Sequence, residues 1–193
     1  MKNFIDTIKS IFVSNPYEIV SLNKEYVFVY DDCVQKCTFM LSEDIHPDIT
    51  MKIINHNFKE VSHVCIDGGL IKHGLSDYVG DGQPHGRNDC MVFSDEELLL
   101  IELKMDVSVE SKDKTRWSRF SDAMHQISDF YLYLVEKMEE KDEPITTYYT
   151  ISAIHPIISM KNPPRPSAQR NNEKEKFRLA TKLKIETTTE YSI

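Results

Sequence analysis

The chain has 193 residues, 40% hydrophobic and 28% charged, which is the composition of an ordinary globular protein and excludes a disordered or fibrous one. No apolar run approaches the roughly 20 residues of a membrane-spanning helix. A net charge of −8 argues against a protein that coats nucleic acid unaided, since phosphate binding draws on excess Lys and Arg.

The opening stretch MKNFIDTIKSIFVSNP is interrupted by Asp6 and Lys9, so it reads as a short amphipathic helix rather than a secretory leader, and the expected compartment is the cytoplasm. Lys24 to Tyr30 and Val34 to Leu41 read as a hairpin around a polar turn at Asp31-Asp32. Asp48 to Phe58 suggests a short helix with Asp48 as N-cap, and Val61 to Ile66 a strand. All six glycines lie between Gly68 and Gly86. A loop that gathers every glycine is either a flexible hairpin tip or a functional segment.

Asp89 to Phe93 then reads as a short strand, Ser94 to Glu97 as a turn, and Leu98 to Met105 as a second strand. The unalternating run LLLI predicts a strand covered on both faces. From Thr115 to Lys141, Trp117, Phe120, Met124, Ile127, Tyr131, Leu134 and Met138 recur at three and four, the period of a helix with one buried face. Ile145 to Ile158 suggests a further strand, after which Pro163, Pro164 and Pro166 break the chain. Asn172 to Ala180 is helix-like and Lys182 to Thr188 strand-like. This order predicts an α/β fold with one central mixed sheet flanked by helices. It divides into an accessory region at 1–57, a core at 58–158 and a C-terminal extension at 159–193. Between Lys161 and Lys184 eight basic residues, Arg170 among them, face only Glu173 and Glu175. That stretch carries +6 and leaves −14 on the rest.

Cys33, Cys37, Cys65 and Cys90 lack the second pair, or the histidine pair, of a zinc signature, and Cys65 and Cys90 read as small buried hydrophobes.

Charge on apolar strands is the feature that points to chemistry. Glu102 and Lys104 stand two apart and leave the same face of their strand. Asp89, on the preceding strand, is an antiparallel neighbour. Such groups are costly on a buried strand unless they are paired or bind a metal. Two carboxylates suit Mg²⁺, which takes one or two of them together with waters and phosphate oxygens. An exposed Glu102–Lys104 ion pair is the plainer reading of the same residues.

The stretches GRNDCMVF (Gly86 to Phe93), LLLIELKM (Leu98 to Met105) and DAMHQISDFY (Asp122 to Tyr131) together resemble the PD-(D/E)XK nuclease superfamily. Twelve residues separate Asp89 from Glu102. The resemblance covers roughly residues 60 to 158 and implies a restriction-endonuclease-like αβββαβ core. It also implies catalysis by Asp89, Glu102, Lys104 and Gln126, with Mg²⁺ (Mn²⁺ substituting) held by Asp89, Glu102 and the Leu103 carbonyl. The match departs at the helix aromatic, where Phe130 precedes Tyr131. The fourth acidic ligand of that family is expected here at Glu60, with Asp67 and Glu43 as alternatives. Arg116, Arg119, His85 and Arg170 are candidate substrate contacts and His73 a weaker one, while His155 is expected to pack or cap. The implied activity is hydrolysis of phosphodiester bonds, in DNA ahead of RNA, in bacterial or phage defence or repair. A larger protein partner or a homo-oligomer would support it, with no membrane involved. The alternative is a non-cleaving nucleic-acid- or protein-binding subunit on the same fold.

Overall fold

The computed structural model describes residues 3–11, 19–32, 37–45, 50–66, 88–105, 107–108 and 110–193. Asp48, Asp67, His73, His85, the glycine-rich segment and Cys33 lie outside them.

Three α-helices and ten strands are formed among these residues. In chain order the elements begin with α1 (Phe4–Ile11), β1 (Val20–Leu22), β2 (Tyr26–Asp32), β3 (Cys37–Leu41) and β4 (Thr50–Ile54). Then come β5 (Val61–Cys65), β6 (Cys90–Phe93), β7 (Leu98–Leu103), α2 (Asp113–Glu139) and β8 (Ile154–Ser159). The chain closes with α3 (Ala168–Thr181), β9 (Glu186–Thr187) and β10 (Glu190–Ser192). The protein is a mixed α/β structure, but it holds two mixed sheets where one was expected. The larger runs β1-β5-β6-β7-β8-β9 and the smaller β10-β4-β2-β3.

The second sheet explains the LLLI run. On one face of the large sheet Val64, Met91, Phe93, Leu98, Leu100 and Ile158 pack against α2, whose Phe120, Ala123, Met124, Ile127, Phe130 and Leu134 are buried. On the other face Cys90, Val92, Leu99, Ile101, Leu103 and Ile157 pack against Val27, Val29, Met40, Met51 and Ile53 of the small sheet. All six residues of β7 are buried because both faces are covered. Helices cover one face only; a sheet covers the other.

Three local expectations change. Residues 50–54 form strand β4, not a helix, because Thr50, Ile53 and Ile54 are β-branched and pair with β2 over the register Tyr26↔Ile54 to Tyr30↔Thr50. Asp31 and Asp32, expected as a turn, are instead strand residues of β2 that pair with Thr38 and Cys37 of β3. The strand expected from Ile145 starts only at Ile154, after 3-10 turns at Ile145–Thr147 and Ile151–Ala153. β8 is thereby matched in length to its parallel neighbour β7, Leu98↔Ile154 to Leu103↔Ser159.

Segments on both sides of residues 58–158 contribute to the sheets. β1 pairs with β5 and β9 with β8 in the large sheet, while β10 lies parallel to β4 in the small one. Because β7 and β8 are parallel, α2 carries the chain back between them, so its N-terminus lies at the end of the sheet where β7 and β8 finish. Open sheets with parallel strands commonly place their ligand sites at that carboxyl end.

Candidate active site

The register of β6 and β7 brings the acidic residues together. Cys90 is opposite Ile101, so Asp89 and Glu102, one step further out, face each other across the two strands. Both have the parity of residues that turn toward α2, as does Lys104. The Asp89 backbone N–H donates to Glu102 Oε2 at 3.0 Å, and the Leu103 N–H donates to Asp89 Oδ2 at 2.6 Å. Lys104 Nζ donates to Glu102 Oε1 at 2.5 Å. The Lys104 backbone N–H donates to the Ser159 carbonyl at 2.8 Å, which ties the end of β7 to β8.

Each carboxylate thus bonds the backbone of the other's strand, fixing the pair to the sheet rather than to loop geometry. Glu102 is fully buried, whereas the Lys104 side chain is 14% exposed. An outward-facing pair at the sheet edge would be exposed on both sides; this one is enclosed.

Charge burial sets the electrostatics. Loss of solvation pushes the Glu102 carboxyl well above the usual carboxylate range, and the Asp89 carboxylate beside it pushes further the same way. Lys104 and the Asp89 N–H act in the opposite direction and do not overcome it. Burial works against the Lys104 ammonium, but the Glu102 and Asp89 carboxylates outweigh it and raise its pKa, with Arg119 on α2 opposing them. Lys104 is therefore an ammonium, a hydrogen-bond donor, at neutral pH. The cluster holds two acids that resist sharing negative charge, and additional positive charge would relieve them.

Support from the opposite face comes from residues that strand patterning did not single out. The Thr38 hydroxyl bonds buried His63 Nε2 at 3.0 Å and reaches the Asp89 carbonyl at 3.5 Å. The Thr38 N–H donates to Cys65 Sγ at 3.2 Å. Burial lowers the His63 pKa to about 4, so the ring is neutral, and it pushes the Cys65 thiol up to about 12. This polar seam between the two sheets sits directly beneath Asp89. The one available signal was histidine and serine inside the otherwise apolar V-S-H-V-C strand. Cys65 and Cys90 are buried free thiols, and Cys37 is a half-buried one.

Glu60 does not reach the site. It precedes β5, in which Ser62 is opposite Phe93, while the Ile66 N–H bonds the Asp89 carbonyl. Six residues of strand, roughly 20 Å, separate Glu60 from Asp89. Instead it is exposed at the rim of a cleft of about 440 Å³ at the other end of the sheet, with Asp95, Phe4 and Tyr149. Spacing along one strand could not reveal this, because the direction of β5 relative to β6 decides which end Glu60 occupies. Glu43 is exposed beyond Leu41, at the end of β3 away from Thr38. Among the described residues no group of three or more His, Cys, Asp or Glu side chains is placed to hold a metal ion.

On α2, Arg119 is exposed and acts on Lys104. Gln126 is half-buried, about 10 Å further along the helix axis and toward the Leu98 end. Arg116 and Arg170 both turn to Asp113, at 4.0 and 2.7 Å. His155 is at the far end of β8, half-buried, with its ring 5.2 Å from that of Tyr191 and Nδ1 3.3 Å from Glu186. No helix among the described residues is long and apolar enough to cross a membrane.

Comparison with protein-family models, with curated proteins and with solved structures finds no match to this chain. The functional reading therefore depends on the residues themselves.

Proposed function

We propose that this chain is a divalent-metal-dependent nuclease that hydrolyses phosphodiester bonds, DNA ahead of RNA, through Asp89, Glu102 and Lys104. The observation that carries the reading is Glu102: a fully buried carboxyl, pushed toward protonation, facing a second carboxylate and an ammonium at the carboxyl end of β7. Structural ion pairs gain little from such enclosure, because desolvation consumes the attraction. A site that recruits a cation gains from it.

The donor set fits Mg²⁺ or Mn²⁺. Asp89 and Glu102 supply two carboxylates, and the carbonyl of Leu103 lies between Glu102 and Lys104 in the chain, which together suit a hard cation that keeps several waters. When bound, such a cation acidifies water and screens the charge that develops on the phosphate. Asp89 and Glu102 would hold it, with their orientation set by the cross-strand bonds to the Leu103 and Asp89 amides. The Lys104 ammonium would leave Glu102 Oε1 and donate to a nonbridging phosphate oxygen as negative charge accumulates there. Its raised pKa favours donation over proton abstraction. Arg119, exposed on the first turns of α2, is positioned to attract the phosphate backbone.

Support for a restriction-endonuclease-like core comes from the order α1, β5, β6, β7, α2, β8, with β5–β7 antiparallel and β8 parallel to β7. The strands β1–β4 interrupt that order after α1. Bacterial or phage defence or repair, with a larger partner or self-association supplying affinity to an acidic chain, accompanies the resemblance in sequence.

A second reading, a non-cleaving subunit on the same framework, draws on the Glu102–Lys104 contact, which engages the lysine inside the protein. Incubation with labelled DNA and RNA in Mg²⁺, Mn²⁺ and EDTA separates the two. The nuclease reading expects cleavage that EDTA stops and that Glu102→Gln removes. Absence of cleavage on every substrate, together with absence of Mg²⁺ binding by calorimetry, would leave the binding subunit.

A further inference from the structure

A second charged constellation lies where α3 crosses the start of α2. Arg170 Nη2 pairs with Asp113 Oδ2 at 2.7 Å, Arg116 approaches the same carboxylate, and the Arg165 N–H bonds Asp113 Oδ1 at 2.9 Å. Arg170 also lies over the Trp117 ring at 5.2 Å and donates to the Arg165 carbonyl. Lys174 lies over Phe120 at 4.9 Å. Arg165, Arg170, Lys174, Trp117 and Phe120 line a small cleft of about 40 Å³ together with Pro163, Pro164 and Pro166.

Four cations, Arg116, Arg165, Arg170 and Lys174, gather here against Asp113 and Glu173, on a chain whose net charge is −8. Glu173 is turned to the Ser121 hydroxyl at 3.4 Å. Burial lowers the pKa of Lys174, so its ammonium is held partly desolvated. Lys112, the N-cap residue of α2, makes no side-chain capping bond. The helix start therefore adds its own positive end to the four side chains. Arg119, which acts on Lys104, follows Asp113 by six residues, about 9 Å along the helix.

We infer that this α2–α3 corner is a phosphate subsite for a nucleic-acid strand, binding a backbone phosphate other than the one that is cut. The ligand class rests on the nuclease reading above; the positive corner does not. The cleft is too small for a nucleobase, and Trp117 is occupied by Arg170 on one side and by stacked Phe120, whose ring lies 5.6 Å away. Base stacking, the usual use of an exposed tryptophan beside arginines, is closed here. What remains is charge recognition: Asp113 holds the Arg170 fork in place, Arg165 is exposed, and Lys174 sets its ammonium over the Phe120 ring at the cleft.

The test measures binding in EDTA, where cleavage plays no part. A single-stranded oligonucleotide of about 20 nucleotides and an abasic deoxyribose-phosphate strand of equal length are titrated against salt by fluorescence anisotropy. The variants are Arg165→Gln/Lys174→Gln, which keeps the backbone bond to Asp113, and the charge-conserving Arg165→Lys/Lys174→Arg. Each lost phosphate contact flattens the dependence of log affinity on log salt by about 0.7 for a single strand. The neutral double variant is expected to lose about 0.7 of slope, the share of one phosphate, and to bind more weakly, with the charge-conserving variant near wild type and the abasic strand matching the intact one. Unchanged slope and affinity in the neutral variant would reduce the cluster to the contact that docks α3 on α2. Loss of binding to the abasic strand would assign recognition to bases and overturn the inference. If melting shows that the neutral double variant is unfolded, Arg165→Gln alone decides, since that side chain is exposed. Slope changes without any cleavage sink the nuclease reading and leave the subsite; cleavage with unchanged slopes does the reverse.

Discussion

The two ends of the central sheet solve the same problem in opposite ways. At the Leu98 end the Lys59–Glu96 ion pair is exposed, and the turn itself is held by bonds from neutral groups: the Ser94 hydroxyl accepts from the Glu96 and Glu97 amides, each at 3.2 Å, and the Tyr149 hydroxyl donates to the Ser94 carbonyl at 2.7 Å. At the Leu103 end two carboxylates and an ammonium are enclosed within a few ångströms of one another. Neutral pairs such as these repay their burial with hydrogen bonds. Charged groups of the same number repay it less readily, because desolvation consumes most of their attraction. The difference separates turn chemistry, which shapes the chain, from a cluster that the fold tolerates at a cost.

The contrast can be broken most severely by substitution at Glu102. Glu102→Gln is the variant of choice, because Glu102 is fully buried and alanine would leave a cavity there. It is expected to abolish Mg²⁺ binding by calorimetry and to slow cleavage by about 10³-fold or more, given the several kcal/mol that a cation supplies to such a transition state. Its melting temperature should stay near or above that of wild type, since a neutral amide avoids the desolvation of a carboxylate. A large drop in melting temperature would mean that the acid is held for stability, and the two ends would then be alike.

Lys104→Gln comes next. Loss of one charged donor to the transition state predicts a fall of roughly 10²- to 10³-fold in kcat. Mg²⁺ binding should be retained, because an ammonium contributes no ligand and repels the cation. A Lys104→Gln variant that cleaves at the wild-type rate would return the lysine to a plain ion-pair role.

The pH dependence of stability sharpens the comparison further. The folded-state pKa of Glu102 is raised well above the ordinary value of 4.5. Its protonated form is thus favoured by folding, and the associated stability is present below about that pH. It is lost as pH rises toward the folded pKa. The metal-free protein should therefore lose stability across that window, Glu102→Gln should flatten the loss, and Mg²⁺ should offset it increasingly at higher pH. Chemical denaturation in EDTA and in Mg²⁺ across pH 4.5 to 8 tests all three. A flat profile in the wild type would show that Glu102 is not under the strain argued for it.

The smallest effect belongs to the neutral end. Tyr149→Phe removes the hydroxyl bond to the Ser94 carbonyl, which should lower stability by about 1–3 kcal/mol because that carbonyl loses its partner. Catalysis and metal affinity should be unchanged. Any change in cleavage would mean that the two ends communicate through β6 and β7.

Much of the site could be read along the chain because it is made of near neighbours. Glu102 and Lys104 share a face by the two-residue period of a strand, and a four-residue turn makes the Asp89 strand the antiparallel partner of theirs. The long helix was equally legible, since apolar spacing at three and four over 27 residues admits no other regular element. Contacts between residues distant in sequence were not. Whether Glu60 reaches Asp89 depends on strand direction, and β5 carries it the wrong way. Residues 50–54 form a strand because β2 was there to pair with them, an event that local propensity does not report.

By itself, then, the sequence determined the regular elements with strong periods and the local triad Asp89, Glu102 and Lys104, because period and adjacency are properties of the chain. The tertiary structure alone decided that a second sheet covers β7, that Glu102 is sealed from water, and that Lys104 remains a charged donor. It also gathered Arg116, Arg165, Arg170 and Lys174 at one corner of α2 and α3. Burial and electrostatic potential are sums over everything nearby in space, and most of what is near Glu102 is far from it along the chain.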